Sequence, residues 1–210
     1  RQVLRRIADG TITVHADLSD IADYHCNDMV VDAQGRAYIG NFGYDFEAGA
    51  PPRSAALALV LPDGTVRVAA DDVAFPNGAV ITPDGRTLIV AESFGARLTA
   101  FAVADDGTLG GRRVWAALEG AVPDGICLDA EGAVWVASPL SKEVLRVREG
   151  GQVDERIRTA TQAIACMLGG PDRRTLFVLT AQSFHRDECR AQRNARIEVV
   201  EVDAPGAGLP

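Results

Sequence analysis

The 210-residue chain is 47% hydrophobic and 24% charged, an ordinary globular composition with ample apolar surface for a core. A formal net charge of −8 argues against nucleic acid and anionic membrane surfaces as partners, since both need basic patches. The longest apolar run, Ala55 to Leu61, falls far short of the roughly 20 residues that span a bilayer, and the charged start RQVLRRIADG has no signal-peptide apolar stretch.

Taken in chain order, residues 1–17 (RQVLRRIADGTITVHAD) predict a β-hairpin with a Gly-containing turn. The stretch CNDMVVDAQGRAYIGNF from Cys26 then predicts two apolar strands around the turn DAQGR. After the loop GNFGYDFEAGAPPRS, a second hairpin, AALALVLPDGTVRVAAD, begins at Ala55. The same alternation returns with PNGAVITPDGRTLIVAES from Pro76 and ARLTAFAVADDGTLGGRRVWA from Ala96. It returns again with PDGICLDAEGAVWVAS from Pro123 and KEVLRVREGGQVDERI from Lys142. A fourth inner hairpin, IACMLGGPDRRTLFVLTA, starts at Ile164, and RIEVVEVD near the end predicts one further strand. No helical stripe of period 3.6 is evident anywhere.

With Asn27, Asn77, Asp124 and Ala165 taken as equivalent, the repeat spacings are 50, 47 and 41 residues. Four short antiparallel strands in about 40–50 residues is the unit of a β-propeller blade. The expected fold is all-β, one propeller domain over residues 1–210, with the opening hairpin as the outer half of a blade. Six blades at this repeat length need about 280 residues, so one to one-and-a-half N-terminal blades are expected beyond this sequence.

The four cysteines, Cys26, Cys127, Cys166 and Cys189, form no C-x-x-C pair. Cys127 and Cys166 read as buried small hydrophobes in first strands of different blades, so no disulfide and a reduced, cytoplasmic setting are expected. His185 and Cys189 would make a metal pair only on a helix, and no second pair accompanies them.

The first strand of a propeller blade lines the central channel, so residues at its start converge on a common axis. Asn27, Asn77 and Asp124 there present two amide oxygens and a carboxylate. Oxygen donors suit a hard cation such as Ca²⁺, Mg²⁺ or Mn²⁺. Each tripeptide alone, PNG or PDG, would read as a turn; their shared phase before the first strand favours a site.

HCNDMVVDAQGR, PNGAVITPDGRTLIVAES and PDGICLDAEGAVWVAS resemble the gluconolactonase/senescence-marker-protein (regucalcin-like) family of six-bladed propellers. The resemblance spans nearly the whole chain. It implies hydrolysis of sugar lactones or related esters with one divalent cation, Ca²⁺ foremost and Zn²⁺, Mn²⁺ or Mg²⁺ as the others. It also implies Asn77 and Asp124 as metal ligands, Asp124 as general base, and Asn27 as a contact to metal or substrate. The family's Glu ligand in a Gly-Glu-x-Pro-like stretch has no counterpart in this sequence. His25 stands where many members have Arg, either recognising substrate or serving as a neutral wall residue. Asp45 either reaches the channel mouth or is a solvated loop carboxylate. The competing classes are a non-catalytic propeller binding module, which needs no ring of oxygens, and a strictosidine-synthase-like propeller, whose Glu is not found.

Overall fold

The computed structural model describes residues 3–207. Strands β1 (Val3–Ala8) and β2 (Thr11–Asp17) form a hairpin closed by Asp9 and Gly10, both at positive φ. An Asp-Gly pair suits the two-residue turn whose twist matches that of the strands. The first two residues of the expected hairpin, Arg1 and Gln2, lie outside the described residues.

Three four-stranded antiparallel blades follow. Blade I comprises β3 (Cys26–Val31), β4 (Ala37–Asn41), β5 (Ala55–Val60) and β6 (Val66–Val73). Blade II comprises β7 (Pro76–Ile81), β8 (Thr87–Glu92), β9 (Arg97–Val103) and β10 (Leu109–Ala117). Blade III comprises β11 (Ile126–Leu128), β12 (Val134–Ser138), β13 (Glu143–Val147) and β14 (Val153–Arg158). A fourth sheet has three strands, β15 (Gln162–Gly169), β16 (Thr175–Ala181) and β17 (Arg196–Glu201). This is the propeller arrangement read from the repeats.

The inner turns owe their shape to Asx chemistry. Asp32 Oδ1 accepts from the N–H groups of Gln34 and Arg36, and Asp129 Oδ1 from those of Glu131 and Ala133. Gly35 and Gly132 take the positive φ that each turn requires.

Side chains alternate across each strand, and both faces of a middle blade are covered. Val134 and Val136 pack toward Ile89, Leu98 and Trp115 of blade II, whereas Trp135 and Ala137 pack toward Cys166, Leu176 and Val178 of the last sheet. This double covering makes VWVAS a continuous apolar run rather than an alternating one. The inner strands lie side by side in the series β3, β7, β11, β15, and among the described residues no comparable contact joins β15 back to β3. Apolar side chains are exposed at both ends of this arc, Met29 and Val31 on one side and Leu179, Ile197 and Val199 on the other.

Three expectations need correction. HRDECR is partly helical: α1 (Arg186–Gln192) follows His185, with Asp187 and Glu188 in its first turn and Arg190 in its last. Those charges oppose the helix dipole favourably, and none of the helix residues is buried, so no apolar stripe announces it. Second, the partner of Asp124 in the last sheet is Ile164 rather than Ala165. Gly78 N donates to Asp124 O in the neighbouring blade, and Gly125 N donates in the same way to Ile164 O. Third, Cys127 and Cys166 lie in different blades yet their sulfurs are 4.0 Å apart, because adjacent inner strands run side by side. Both remain free thiols. Among the described residues no helix is long and apolar enough to cross a membrane.

Candidate active site at the channel mouth

The first two inner strands begin with the same irregularity. Two residues, Asn27 and Asp28, stand against one on β4, and Asn77 and Gly78 stand likewise against one on β8. Such a bulge re-aims side chains at the start of a strand. Asp124 and Gly125 occupy the same place in blade III, where Asp124 N donates to Ala137 O and Ala137 N to Gly125 O. Gly78 belongs to a strand and neither it nor Gly125 has positive φ, so PNG and PDG here are not turns. The glycines serve close approach instead. A Cβ on Gly78 would meet the Ile126 nitrogen at 2.6 Å, and one on Gly125 the Ala165 Cα at 2.7 Å.

Asn77 is buried and its amide nitrogen donates to Ser93 Oγ at 3.2 Å; Ser93 in turn donates to Pro123 O at 2.7 Å. The Asn77 side chain also lies near enough to Asp124 to pull its carboxyl down. With its nitrogen donating to Ser93, the Asn77 amide still offers its oxygen to a ligand. Burial first, then repulsion from Asp28, push the Asp124 carboxyl from its ordinary 3.8 up to about 7, against the pull of Asn77 and the Gly125 N–H. Nearby protein also raises Asp28 by desolvation, although this residue is exposed at the rim.

Elsewhere in the chain, buried carboxylates are neutralised. Arg97 and Arg112 pair with Glu92, Arg146 with Asp129, and Arg36 with Asp32. Among the described residues Asp124 and Asp28 have no Arg or Lys partner. A negative pair with an amide oxygen beside it and no cation of its own fits a hard divalent ion. Among the described residues no group of three or more His, Cys, Asp or Glu could hold a metal, so amide oxygens would have to complete the set.

The remaining expected residues divide. Asn27 is on the same rim, its amide nitrogen donating to Pro76 O at 3.2 Å, next to Asn77. His25 is exposed and stacks on Tyr24 with ring centroids 4.2 Å apart. Asp45 accepts from Ala48 N and binds the Tyr24 hydroxyl, which raises that phenol, so its contacts lie within the rim loop. Two residues escaped the sequence reading. Asp28 stood next to Asn27 in the quoted CND, but alternation alone turns neighbours to opposite faces, and only the bulge changes that. Ser93 closes a strand sixteen residues from Asn77, a pairing visible only once β7 and β8 are in register.

Residues 1–182 match the family described as the SMP-30/Gluconolactonase/LRE-like region. Regucalcin of Danio rerio is 30% identical over 178 residues, covering 81% of this chain and 59% of its own length. The 6-deoxy-6-sulfogluconolactonase of Pseudomonas putida is 27% identical over 190 residues, 88% of this chain and 64% of that enzyme. A solved gluconolactonase of Xanthomonas campestris superposes with a TM-score of 0.70 at 26% identity, over 86% of this chain and 63% of the other. The chain therefore spans less than two thirds of the length of these curated relatives. With the match covering residues 1–182 of 210, this chain belongs to the SMP-30/gluconolactonase/LRE-like family.

Proposed function

We propose that this chain carries the catalytic wall of a divalent-cation-dependent hydrolase of small-molecule lactones or related esters. One observation carries the reading: Asp124 and Asp28 share the channel mouth without a basic partner, beside an Asn77 held by Ser93. Family membership supports the lactone class, since relatives bear lactonase names. Asn77 and Asp124, with Asn27 beside them, would hold the ion, and oxygen donors favour Ca²⁺ over softer metals. A bound cation would polarise the lactone carbonyl and stabilise the oxyanion formed on attack. Asp124 takes the proton of the attacking water and returns it to the leaving alkoxide as the acyl C–O bond breaks, and Asn77 aims Asp124. Asp28 keeps the local potential negative. Asn27, His25 and Asp45 border the substrate on the blade I side. We place these blades in a six-bladed ring within a single domain, which would cover the apolar faces around Met29 and Ile197. The free thiols fit a reducing, cytoplasmic setting.

The test is hydrolysis of a lactone and ester panel by the protein at its natural length, with Ca²⁺, Mn²⁺, Mg²⁺ or Zn²⁺ added after chelation. Activity should vanish with chelator and return with one of these ions. Chelator-resistant hydrolysis, or none with any ion, refutes the proposal.

A further inference from the structure

The chain has seven phenylalanines, and five of them gather at the channel mouth. Phe42 and Phe46 come from the β4–β5 loop, Phe75 from the residue before Pro76, Phe94 from the 3₁₀ turn Ser93–Gly95, and Phe184 from the loop before α1. Phe42 stacks on Phe75 at 4.8 Å between centroids, and Phe75 meets Phe94 at 4.6 Å. Phe46 reaches Phe94 at 6.1 Å and Phe184 at 6.0 Å, so a chain of rings links blades I and II to the last sheet.

This wall is tied to the site by covalent neighbours: Phe75 lies two residues before Asn77, and Phe94 follows Ser93 directly. Packing does not consume it. Phe94 is 51% exposed and Phe184 49%, and Leu140 on the corresponding β12–β13 loop is 68% exposed. Blades II and III and the last sheet thus each send an uncovered apolar group to one opening, beside the half-buried Phe42 and Phe46 of blade I. Phe75, beneath them, is buried at φ +58°, a left-handed backbone that costs a bulky residue on the order of 1–3 kcal/mol. A strained aromatic beside a site suggests a role for that position.

Resting on the lactone-hydrolase reading, we infer that this mouth selects lactones or esters bearing an alkyl or aryl substituent over polyhydroxylated sugar lactones, with Phe94 and Phe184 as specificity-determining residues. Phenyl rings offer hydroxyls no hydrogen bond, and desolvating hydroxyls against them is unfavourable. The polar rim groups His25 and Asp45 stand on the blade I side, Asp45 already accepting from Ala48 N, whereas Phe94 and Phe184 present only rings. An alkyl chain laid across Phe94 and Phe184 removes apolar surface on both sides from water.

The experiment compares kcat/KM for γ-nonalactone and glucono-δ-lactone, using the natural-length protein with its activating cation. γ-Nonalactone should be preferred at least tenfold. Phe94→Ser and Phe184→Ser should each cut its kcat/KM by about tenfold, mainly through KM, as expected for lost pocket contacts. Phe94→Leu should recover most of the loss, and Val68→Ser on the outer strand β6 should change nothing. Preference for glucono-δ-lactone, or serine variants with unchanged selectivity, overturns the inference while leaving lactone hydrolysis standing. Loss of self-association in Phe94→Ser at unchanged selectivity would instead make the surface an interface between copies. Failure on both lactones with every cation defeats the underlying function as well.

Discussion

Asp124 is the residue on which the chemistry turns. Asp124→Asn keeps an oxygen donor and removes charge and base, so hydrolysis should drop by a factor of about 10² or more while cation affinity weakens less. Steady-state kinetics at saturating cation, alongside calorimetric titration of the ion, separate the two effects. Ser93 does not face the cation in this scheme; it holds the Asn77 amide. Ser93→Ala should therefore weaken cation binding by about tenfold, as lost support behind a ligand does, and direct titration reads this without any activity assay. The raised Asp124 carboxyl also has a consequence for stability. Its folded value, about 7, lies above the ordinary 3.8, so its contribution is present below about pH 4 and is lost as pH rises through 7. Cation-free protein should lose stability over that window, Asp124→Asn should flatten the slope, and added cation should raise Tm more at pH 8 than at pH 5.

At the level of strands and blades, the glycines beside the site and those in the turns do different work. Gly78→Ala would drive a Cβ into the backbone of blade III, costing roughly 1–3 kcal/mol or more as an overpacked contact. Gly85, in an exposed turn with nothing near its missing Cβ, should cost about 1 kcal/mol through its positive φ alone. Denaturant melts of the two variants test that order. Glu92, fully buried at the end of β8, ties blades together: it accepts from Ala74 N, Thr99, Arg97 and Arg112. Desolvation is the largest influence and would raise its carboxyl, but the hydrogen bonds from Arg97, Thr99 and Ala74 prevail and lower it. A lowered folded pKa contributes stability above the ordinary carboxyl range, lost as pH falls through the folded value. Glu92→Gln should cost about 1–3 kcal/mol at neutral pH by weakening the bonds from Arg97, Thr99 and Ala74 N, and acid unfolding of the variant should begin from a lower plateau. Between blade III and the last sheet, Cys127 and burial push the Cys166 thiol well up, which keeps it protonated and a poor nucleophile. Non-reducing mass spectrometry should find no Cys127–Cys166 link despite their closeness.

For the molecule as a whole, the exposed apolar faces at Met29 and Val31 and at Leu179, Ile197 and Val199 are sheet surfaces ready for a partner. The 210-residue chain by itself should associate at micromolar concentration, and Ile197→Lys with Val199→Lys should reduce that association in sedimentation experiments. Much of this architecture was legible in the chain. Alternating apolar residues and Asp-x-x-Gly turns such as DAQG and DAEG act over a few residues, so strands, hairpins and the four-fold repetition could be read directly. Asn27, Asn77 and Asp124 were legible as a shared phase for the same reason. What the tertiary structure alone decided depends on contacts between blades. The bulges that add Asp28 to the rim, the Ser93 anchor beneath Asn77, the offset that matches Ile164 rather than Ala165 to Asp124, and the meeting of Cys127 with Cys166 arise where one inner strand lies against the next. The ring of phenylalanines belongs with them, because Phe46 and Phe184 are 138 positions apart in the chain and become neighbours only when the blades curve round one channel. Local periodicity encodes an element; the approach of distant elements has no local signature.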